Sequence, residues 1–496
     1  MEVFSTRTDT FESQAMNLKA DVLSVSPRSE VALSLDRIFD ATWVPTGRLA
    51  KAPLGGGATR ELLDNVTDAD WNAEGSDLAV ARRVNGQFRL EYPPGKVLYE
   101  TSGYISDLRF SPAGDQIAFL DHAFFGDDRG HVSVVDLQGQ CRVLAGEFFS
   151  EQGLAWSPKG DEIWFTGSEG GEPSALRAVD LRGRSRVVVA APIRMHLQDI
   201  AADGKVLLSS ELLRLQIGTA DSKTGRQHDM TALQWPAIEG ISENGSMILL
   251  NSFDIGADTN YRLYVQRTDG SAPVQIGVGG GTGFSRDAKW VTAIDPTHPE
   301  KLLIIPTGVG ETRTLHAPQD QHYLGAALLP NDKQILISTV GTGGAPQSAV
   351  QDLASGSVRP IGSAGRFVST FVGRMYPGPS LDGKYCILTD GKDHYWLQPL
   401  DGTQEREIPG INAREIPLEW HDDANSLFIS RSIGSDVEIT TLNLTTGQRK
   451  LWTHFSPADR TAIVGSSSIV ITPDGGHYGY MVQRVYSTLF LVDGLR

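Results

Sequence analysis

Two histidines and two aspartates gather around one polar loop of the sequence. His122 and His131 flank this loop, which contains Asp127 and Asp128. Imidazole and carboxylate groups are common ligands of divalent cations, so these residue types are compatible with a cation site. A polar loop between two strands accounts for the same residues, and no HExxH or CxxC pattern accompanies them. We therefore expect no metal and no other cofactor.

Sequence motifs of the common enzyme classes are missing. There is no glycine-rich loop with a following lysine, no His-Arg-Asp and no Asp-Phe-Gly, so kinase chemistry is not expected. There is no GxSxG nucleophile elbow either, and Asp390–His394 lacks the spacing of an EF-hand. A catalytic site would need a cluster of histidines or carboxylates at inner strand ends, and none is evident. We expect no catalytic residues, although enzyme activity stays open.

Five side chains are the best candidates for a binding surface. They lie in two loops that we expect on one face around a central channel, and binding residues are often placed on such loops. The candidates are Asp127, Asp128, Arg129, Glu151 and Gln152. Solvation of the loops also accounts for these residues, so their binding role is a hypothesis.

A repeated turn sets the positions of these loops. Each turn follows a short apolar run and contains Pro, Gly, Asn or Asp, which favour tight turns. Successive turns are 46 residues apart from Ser111 to Ser157 and 43 residues apart from Ser242 to Ser285. The eleven turns begin at Ser26, Asn72, Ser111, Ser157, Ala202, Ser242, Ser285, Pro330, Ser380, His421 and Thr472.

A second, glycine-containing turn recurs within the repeats, for example at Asp180–Gly183 and Leu400–Gly402. The runs between turns are short and rich in β-branched and aromatic residues, which predicts antiparallel hairpins. Four strands in each period of about 40–50 residues are typical of β-propeller blades. The sequence therefore predicts an all-β fold of eleven to twelve four-stranded blades in tandem propellers, most simply two six-bladed rings. Aromatic residues before the inner turn, such as Trp156 and Trp420, should pack between neighbouring blades.

We place the boundary between the two predicted propellers near Leu233–Pro236. Residues 1–235 then form the first propeller, whose first blade is incomplete, and residues 236–496 form the second. Glu2–Arg7 and Glu12–Leu18 have the pattern of outer strands. We expect them to complete the C-terminal blade, which has three strands of its own.

Composition and net charge limit the classes of partner that the protein is expected to bind. The chain has 496 residues, 40% of them hydrophobic and 21% charged, which is typical of a globular protein. A formal net charge of -16 argues against binding to nucleic acid or to anionic membranes. No signal peptide or membrane span is evident, so we expect a cytoplasmic protein. Cys141 and Cys386 lie in apolar strand patterns, which predicts two buried free thiols.

Several short stretches carry a family resemblance. They are Leu54–Ala58, Asp68–Trp71, Lys96–Gly103, Phe119–His122, Glu151–Ser157 and Leu489–Leu495. Together they resemble the C-terminal WD40-like propeller region, of the TolB/PD40 type, of bacterial serine/threonine protein kinases. The resemblance covers essentially the whole chain and is more specific in the first half and at the C-terminus. It implies a propeller without the kinase domain, which would precede Met1, and therefore transfers no kinase activity.

The sequence thus predicts a non-catalytic propeller scaffold that resembles the regulatory propeller of such a kinase. A protein or peptide is the expected partner, and a small-molecule ligand is the second choice. The alternative is a propeller hydrolase or lyase whose site lies in the central channel.

Overall fold

The computed structural model describes most of the chain, and its regular elements are β-strands. The described residues are 2–7, 12–41, 44–84, 87–122, 128–169, 174–252, 261–295, 297–341, 345–368, 370–371, 374–375, 377–391, 394–412, 415–423, 425–433 and 436–495. Across these ranges there is no apolar helix of membrane-spanning length. The predicted all-β class is confirmed.

The chain packs as two compact units. Unit 1 comprises Met1–Leu212 with Tyr486–Arg496, and unit 2 comprises Leu213–Val485. The two compact units do not by themselves show which strands belong to which propeller ring. The propeller boundary between residues 235 and 236 therefore stays a prediction, as do the number of blades and the division into two rings.

Unit 1 is built from antiparallel sheets that follow one another along the chain. Its strands are β1 (Phe4–Thr6), β2 (Ser13–Ala15), β3 (Asp21–Val25), β4 (Glu30–Ala41), β5 (Val44–Pro53), β6 (Arg60–Trp71), β7 (Leu78–Val84), β8 (Gln87–Glu91), β9 (Val97–Thr101), β10 (Tyr104–Phe110), β11 (Gln116–His122), β12 (Gly130–Asp136), β13 (Cys141–Phe148), β14 (Ser150–Trp156), β15 (Glu162–Ser168), β16 (Ala175–Asp180), β17 (Ser185–Val189), β18 (Met195–Ile200) and the first part of β19 (Val206–Asp221). β3 to β9 form one seven-stranded sheet, and β10–β13 and β14–β17 form four-stranded sheets.

Unit 2 repeats the same antiparallel pattern. Its strands are β20 (Gln227–Asp229), β21 (Pro236–Ile241), β22 (Met247–Ser252), β23 (Arg262–Arg267), β24 (Val274–Val278), β25 (Gly280–Phe284), β26 (Trp290–Asp295), β27 (His298–Pro306), β28 (Arg313–His316), β29 (Gln321–Leu328), β30 (Gln334–Gly341), β31 (Gln347–Asp352), β32 (Val358–Ile361), β33 (Thr370–Phe371), β34 (Arg374–Met375), β35 (Tyr385–Thr389), β36 (Tyr395–Pro399), β37 (Arg406–Glu407), β38 (Glu415–Trp420), β39 (Ser426–Ile433), β40 (Asp436–Asn443), β41 (Arg449–Phe455), β42 (Ile463–Ile471) and most of β43 (His477–Val492). Sheets β21–β24, β25–β28, β29–β32 and β38–β41 each have four strands in chain order. Repeated sheets of this kind are the blades of a β-propeller.

Six of the predicted inner turns are stabilised by the hydroxyl group of their first residue. The backbone N–H groups of Asp115 and Gln116 donate to Ser111 Oγ, and the N–H of Gly114 donates to the Ser111 carbonyl oxygen at 2.8 Å. Gly114 has a φ of 71°, where a side chain would be strained. The bond from the N–H five positions after the hydroxyl residue recurs at Ser157, Ser242, Ser285, Ser380 and Thr472. These predicted turns are confirmed.

Two predicted repeats fuse in the seven-stranded sheet of unit 1. The repeats with turns at Ser26 and Asn72 share β6, whose first part pairs with β5 and whose second part pairs with β7. Asn65, between these parts, has a φ of 57°, which asparagine tolerates better than most residues. One strand therefore serves as the outer strand of one repeat and the inner strand of the next.

The predicted closure of the C-terminal blade by the N-terminus is wrong. Glu2–Arg7 and Glu12–Leu18 contain β1 and β2, which in the described chain pair with each other. Within unit 2, the sheet of β42 and β43 is instead continued by residues 213–221 of β19 and by β20. The N–H of Ser222 donates to the carbonyl oxygen of Gly476 at 2.9 Å. The first and last segments of unit 2 thus share one sheet, which covers strand edges that would otherwise lack partners.

The core lies between successive sheets. In unit 1, Leu120 and Trp156 of the next sheet belong to one buried cluster, and Trp156 Nε1 donates to the carbonyl oxygen of Arg109 at 3.0 Å. In unit 2, Trp420 Nε1 donates to the carbonyl oxygen of Gly378 at 2.9 Å. The predicted packing of aromatic residues between neighbouring sheets is confirmed at both positions.

The predicted burial of the two cysteines is right for one and wrong for the other. Cys386 on β35 is fully buried, whereas Cys141 is exposed. Cys141 begins β13, the last strand of its sheet, where exposed residues predominate. An apolar pattern in an outer strand therefore does not imply burial.

Candidate binding site in unit 1

Four strands of unit 1 bring polar side chains together. β6, β10, β14 and β18 each lead into an inner turn, and each contacts the next in the series. Each also has a β-bulge a few residues before its turn. In a regular strand, successive side chains point to opposite faces of the sheet. A bulge interrupts this alternation, so polar side chains near the bulges of these four strands can point in the same direction.

Asp68 and Asp70 connect β6 to β10. The N–H of Leu108 donates to Asp68 Oδ2, and the N–H of Phe110 donates to Asp70 Oδ2, each at 2.9 Å. Arg109, between these two donors, lies 3.8 Å from Asp68. Two carboxylates therefore hold the backbone of the neighbouring sheet, and one guanidinium offsets their charge.

The aspartates of this site differ in protonation. Burial raises the pKa of Asp68 to about 7, against the lowering effect of Arg109, and burial also raises the pKa of Asp70. Burial alone would raise the pKa of Asp107 as well, but His196 and Arg109 hold the pKa of Asp107 below its usual range. Strongly perturbed acids grouped in this way are typical of functional sites.

Asp107 is held in an uncommon backbone conformation. Its φ is 51°, in the left-handed region, and Gly153, at the same distance before its turn in the next repeat, has a φ of 71°. Asp107 Oδ2 accepts a hydrogen bond from Ser106 Oγ at 2.7 Å, and Oδ1 lies 3.7 Å from His196 Nε2. A charged residue kept where the neighbouring repeat has glycine suggests a role beyond packing.

Ser106 connects Asp107 to a buried histidine. Ser106 Oγ lies 2.9 Å from His122 Nε2, and His122 Nδ1 lies 3.2 Å from the carbonyl oxygen of Arg129. His122 is 1% exposed, and its ring stacks on Tyr104 at a centroid distance of 4.0 Å. Both ring nitrogens thus contact protein groups. Within the described ranges, no three His, Cys, Asp or Glu side chains are arranged to hold a metal ion.

The loop residues singled out from the sequence meet at Asp128. Ser150 Oγ donates to Asp128 Oδ2 at 2.6 Å, and Gln152 Nε2 and Arg194 Nη2 lie 3.4 and 3.5 Å from the same oxygen. Asp128 thereby ties its loop to β14 through a hydroxyl and an amide group, and to the residue before β18 through a guanidinium group.

Arg129 and Asp127 complete the candidate set. The Arg129 guanidinium lies 5.4 Å from the ring centre of Phe149, a cation–π distance. Asp127 lies outside the described residues.

Glu151 has the least ordinary surroundings of the candidates. It is 1% exposed, and its N–H donates to the carbonyl oxygen of Asp128 at 2.9 Å. Neither of its carboxylate oxygens has a hydrogen-bond partner in the described part of the chain. Burial, together with the charges of Asp107, Asp128 and Asp121, raises the pKa of Glu151 well above its usual value. A buried carboxyl group without a partner costs about 1–3 kcal/mol, so it marks a place where a partner belongs.

Sequence reasoning found the loop residues but missed the centre of the site. The missed residues are Asp68, Asp70, Asp107, Arg109 and His196. The expectation that no cluster exists at inner strand ends was wrong, because the cluster is assembled from several repeats. A signal was present, since charged residues stand four and two residues before the inner turn in two successive repeats.

Comparison with known proteins gave structural neighbours only. No protein-family model matches the sequence, and a search of curated proteins found no match. The chain is similar to a TolB-type protein from Agrobacterium tumefaciens, with 16% identity and a TM-score of 0.40 over 55% of this chain and 99% of the other. It is similar to an oligogalacturonate lyase from Vibrio parahaemolyticus, with 14% identity and a TM-score of 0.36 over 54% and 77%. It is also similar to TolB from Acinetobacter baumannii, with 12% identity and a TM-score of 0.26 over 91% and 81%.

Proposed function

We propose that the chain is a non-catalytic binding protein whose unit 1 holds a ligand or peptide group at β6, β10, β14 and β18. A fold of this type hosts many functions, so the proposal depends on the site. The observation that carries it is Glu151, a buried carboxyl group without a hydrogen-bond partner in the described chain. A guest that donates hydrogen bonds would satisfy this group, whereas packing gives no reason to bury it.

The side chains near Glu151 can be reached from solvent. Asp128 and Arg194 have side chains that are 15% and 20% exposed, and those of Asp107 and His196 are 20% and 24% exposed. A guest can therefore contact them without opening a strand. Because ion pairs and hydrogen bonds already fix these side chains, little ordering is needed on binding.

A protein or peptide is the first partner to test. The resemblance to kinase-associated propellers supports a docking or regulatory role. The partly exposed carboxylates of Asp107 and Asp128 and the guanidinium group of Arg194 suit a polar peptide segment.

An array of peptides with acidic, basic and neutral sequences tests the proposal with the full-length chain. Asp107→Gly removes a carboxylate and leaves a residue that accepts the φ of 51° at that position. Ser468→Gly is the matched control, because Ser468 in unit 2 also has a φ of 51° and also stands four residues before its turn. We expect Asp107→Gly to lose binding to peptides that the wild type and Ser468→Gly retain. Equal binding by all three chains would contradict the proposed site.

A second function, hydrolysis or lyase activity, is favoured by one observation. Ser106 Oγ lies 2.9 Å from His122 Nε2, which is the contact that activates a serine nucleophile. The accompanying geometry is less suitable, since Ser106 Oγ also donates to Asp107 and His122 is 1% exposed. Turnover of a chromogenic ester series that disappears in Ser106→Ala would replace the binding proposal.

A further inference from the structure

We infer that the guest of the unit 1 site carries a positively charged nitrogen group, an ammonium or a guanidinium. This inference rests on the proposed binding function and names its ligand class. It is drawn from the charges around Glu151 and from the unused oxygens of that residue.

The groups that surround the Glu151 carboxyl are mostly acidic. Asp107, Asp128 and Asp121 all act on it with negative charge. Its Oε2 lies close to Gly130, where the Cβ atom of a substituted residue would lie 3.2 Å from that oxygen and 3.1 Å from His122 Nδ1. The carboxyl therefore lies at the centre of charges contributed by β10, β11 and the loop before β12.

Two guanidinium groups offset only part of this negative charge. Arg194 lies 3.5 Å from Asp128. Arg109 is shared among four aspartates, which are Asp68, Asp70, Asp107 and Asp199. Carboxyl groups thus outnumber guanidinium groups around Glu151, so the site favours an added cation over an added anion.

An organic cation fits this arrangement better than a metal ion. In the portion of the chain that is described, no three acidic, histidine or cysteine side chains converge with ligand spacing. An ammonium or guanidinium group carries several N–H donors and can bond to carboxyls that are too far apart to share one metal ion. Glu151 offers two free acceptor oxygens for such donors.

Binding of a cation should release a proton. Burial and the three neighbouring aspartates raise the pKa of Glu151, which favours its protonated form in the empty site. A cation beside the carboxyl group favours the charged form and lowers that pKa. The proton therefore leaves as the cation enters, which gives the site a measurable signature.

Titration calorimetry in two buffers of different ionisation enthalpy measures both affinity and proton release. The probes are agmatine and the acetylated, amidated tripeptides Gly-Arg-Gly, Gly-Gln-Gly and Gly-Glu-Gly. We expect the arginine peptide to bind with proton release, and Glu151→Gln to bind it about tenfold more weakly with no release. Glu239→Gln, which changes a buried glutamate on β21 of unit 2, should match the wild type.

The outcomes distinguish a free small cation from a cationic peptide. They also distinguish failure of the ligand class from failure of the proposed binding function. Agmatine binding as tight as that of the arginine peptide identifies a free small cation, and preference for the peptide identifies a peptide partner. Tighter binding of the glutamate peptide, or no binding of either cationic probe at millimolar concentration, overturns the ligand class. In that case an array signal lost in Asp107→Gly still supports a binding function. If Glu151→Gln fails to fold, Glu151→Asp replaces it, with weaker binding and proton release retained.

Discussion

Units 1 and 2 use the same inner turn but place different residues in front of it. Four and two residues before the turn, two successive repeats of unit 1 have Asp68 with Asp70 and Asp107 with Arg109. The same positions in three repeats of unit 2 have Ile238 and Gly240, Gly281 and Gly283, and Ala326 and Leu328. The turn is therefore independent of what the strand before it carries. A site can be placed on one unit without altering the repeat that builds both.

The acidic residues of the two units also differ in how they are satisfied. In unit 1, burial raises the pKa of Asp68, Asp70 and Glu151. In unit 2, burial acts on Asp423 and Asp474 too, but hydrogen bonds within their turns lower their pKa values. Carboxylates that stabilise turns thus favour folding near neutral pH, whereas ionisation of the carboxyl groups in the unit 1 site lowers the free energy of unfolding.

The largest expected effect tests how closely the inner strands of unit 1 approach one another. A Cβ atom on Gly153 would lie 2.2 Å from the carbonyl oxygen of Leu197, and Gly153 has a φ of 71°. We expect Gly153→Ala to lower the free energy of unfolding by about 4 kcal/mol, because both the clash with backbone and the left-handed φ oppose a side chain. Urea unfolding measures the loss.

Gly281→Ala is the matched control in unit 2. Gly281 also stands four residues before its turn, but its nearest neighbour would be Leu263 Cδ1, at 2.7 Å. The end of a leucine side chain can move, so we expect a loss of about 1 kcal/mol. Equal losses in the two variants would show that the two units are packed alike at this position.

The next prediction concerns the shared guanidinium group of unit 1. Arg109→Gln leaves Asp68, Asp70 and Asp107 without their common cation, and we expect a loss of about 3 kcal/mol at pH 8. The loss should shrink toward pH 5, because Asp68 and Asp70 then take up protons. Urea unfolding at both pH values measures it.

Arg449→Gln provides the comparison in unit 2. Arg449 forms an ion pair with Glu415 at 2.7 Å, donates to the carbonyl oxygen of Gly410 at 2.9 Å, and is partly exposed. Glu415 Oε2 also accepts a hydrogen bond from the N–H of Asn412 at 2.8 Å. We expect a loss of about 1 kcal/mol. A larger loss than in Arg109→Gln would break the proposed contrast between shared and paired charges.

The sequence predicted what is local and missed what is assembled from distant segments. The turn at Ser111 could be predicted, because its bonds join residues at most five positions apart. The hydrogen bond from the N–H of Leu108 to Asp68 joins residues 40 positions apart and depends on a bulge. The alternation of apolar and polar residues in the sequence therefore could not predict it. Glu151 was predicted to lie in a loop, whereas it lies on β14 and is buried by the neighbouring strands. Strand sharing at β6 and at β19 likewise depends on pairing between repeats.

The next prediction compares how the stability contributed by one carboxyl group in each unit depends on pH. The pKa of Asp68 is raised from its ordinary 3.8 to about 7 by burial, so the folded chain holds the proton more tightly than the unfolded chain. The contribution of Asp68 is fully present below about pH 4 and is lost as the pH rises to about 7. We therefore expect Asp68→Asn to gain about 3 kcal/mol relative to the wild type between about pH 4.5 and about pH 8. Urea unfolding across this range measures the gain.

Asp474→Asn should show the opposite slope. Burial opposes ionisation of Asp474, but bonds from Thr472 Oγ1 and from the N–H of Gly476 lower its pKa. Its stabilisation is present above the ordinary pKa and is lost as the pH falls through the lowered value. Asp474→Asn should thus be less stable than the wild type near neutral pH and approach it in acid. Parallel slopes for the two variants would contradict the contrast between a site carboxylate and a turn carboxylate.

The last prediction concerns the two cysteines, one in each unit, and includes the variant with the smallest expected effect on stability. Cys141 is exposed on an outer strand, although burial of part of the side chain and the charge of Asp121 raise its pKa to about 11. Cys386 is fully buried. We expect a disulfide reagent to titrate one thiol in the native chain, slowly because little thiolate is present, and both thiols in denaturant.

Cys141→Ser should remove the native reaction and change the unfolding free energy by no more than about 0.5 kcal/mol, whereas Cys386→Ser should keep the reaction and cost about 2 kcal/mol. Because both cysteines lie in similar apolar sequences, reaction of both thiols, or of neither, would mean that strand position does not control their exposure.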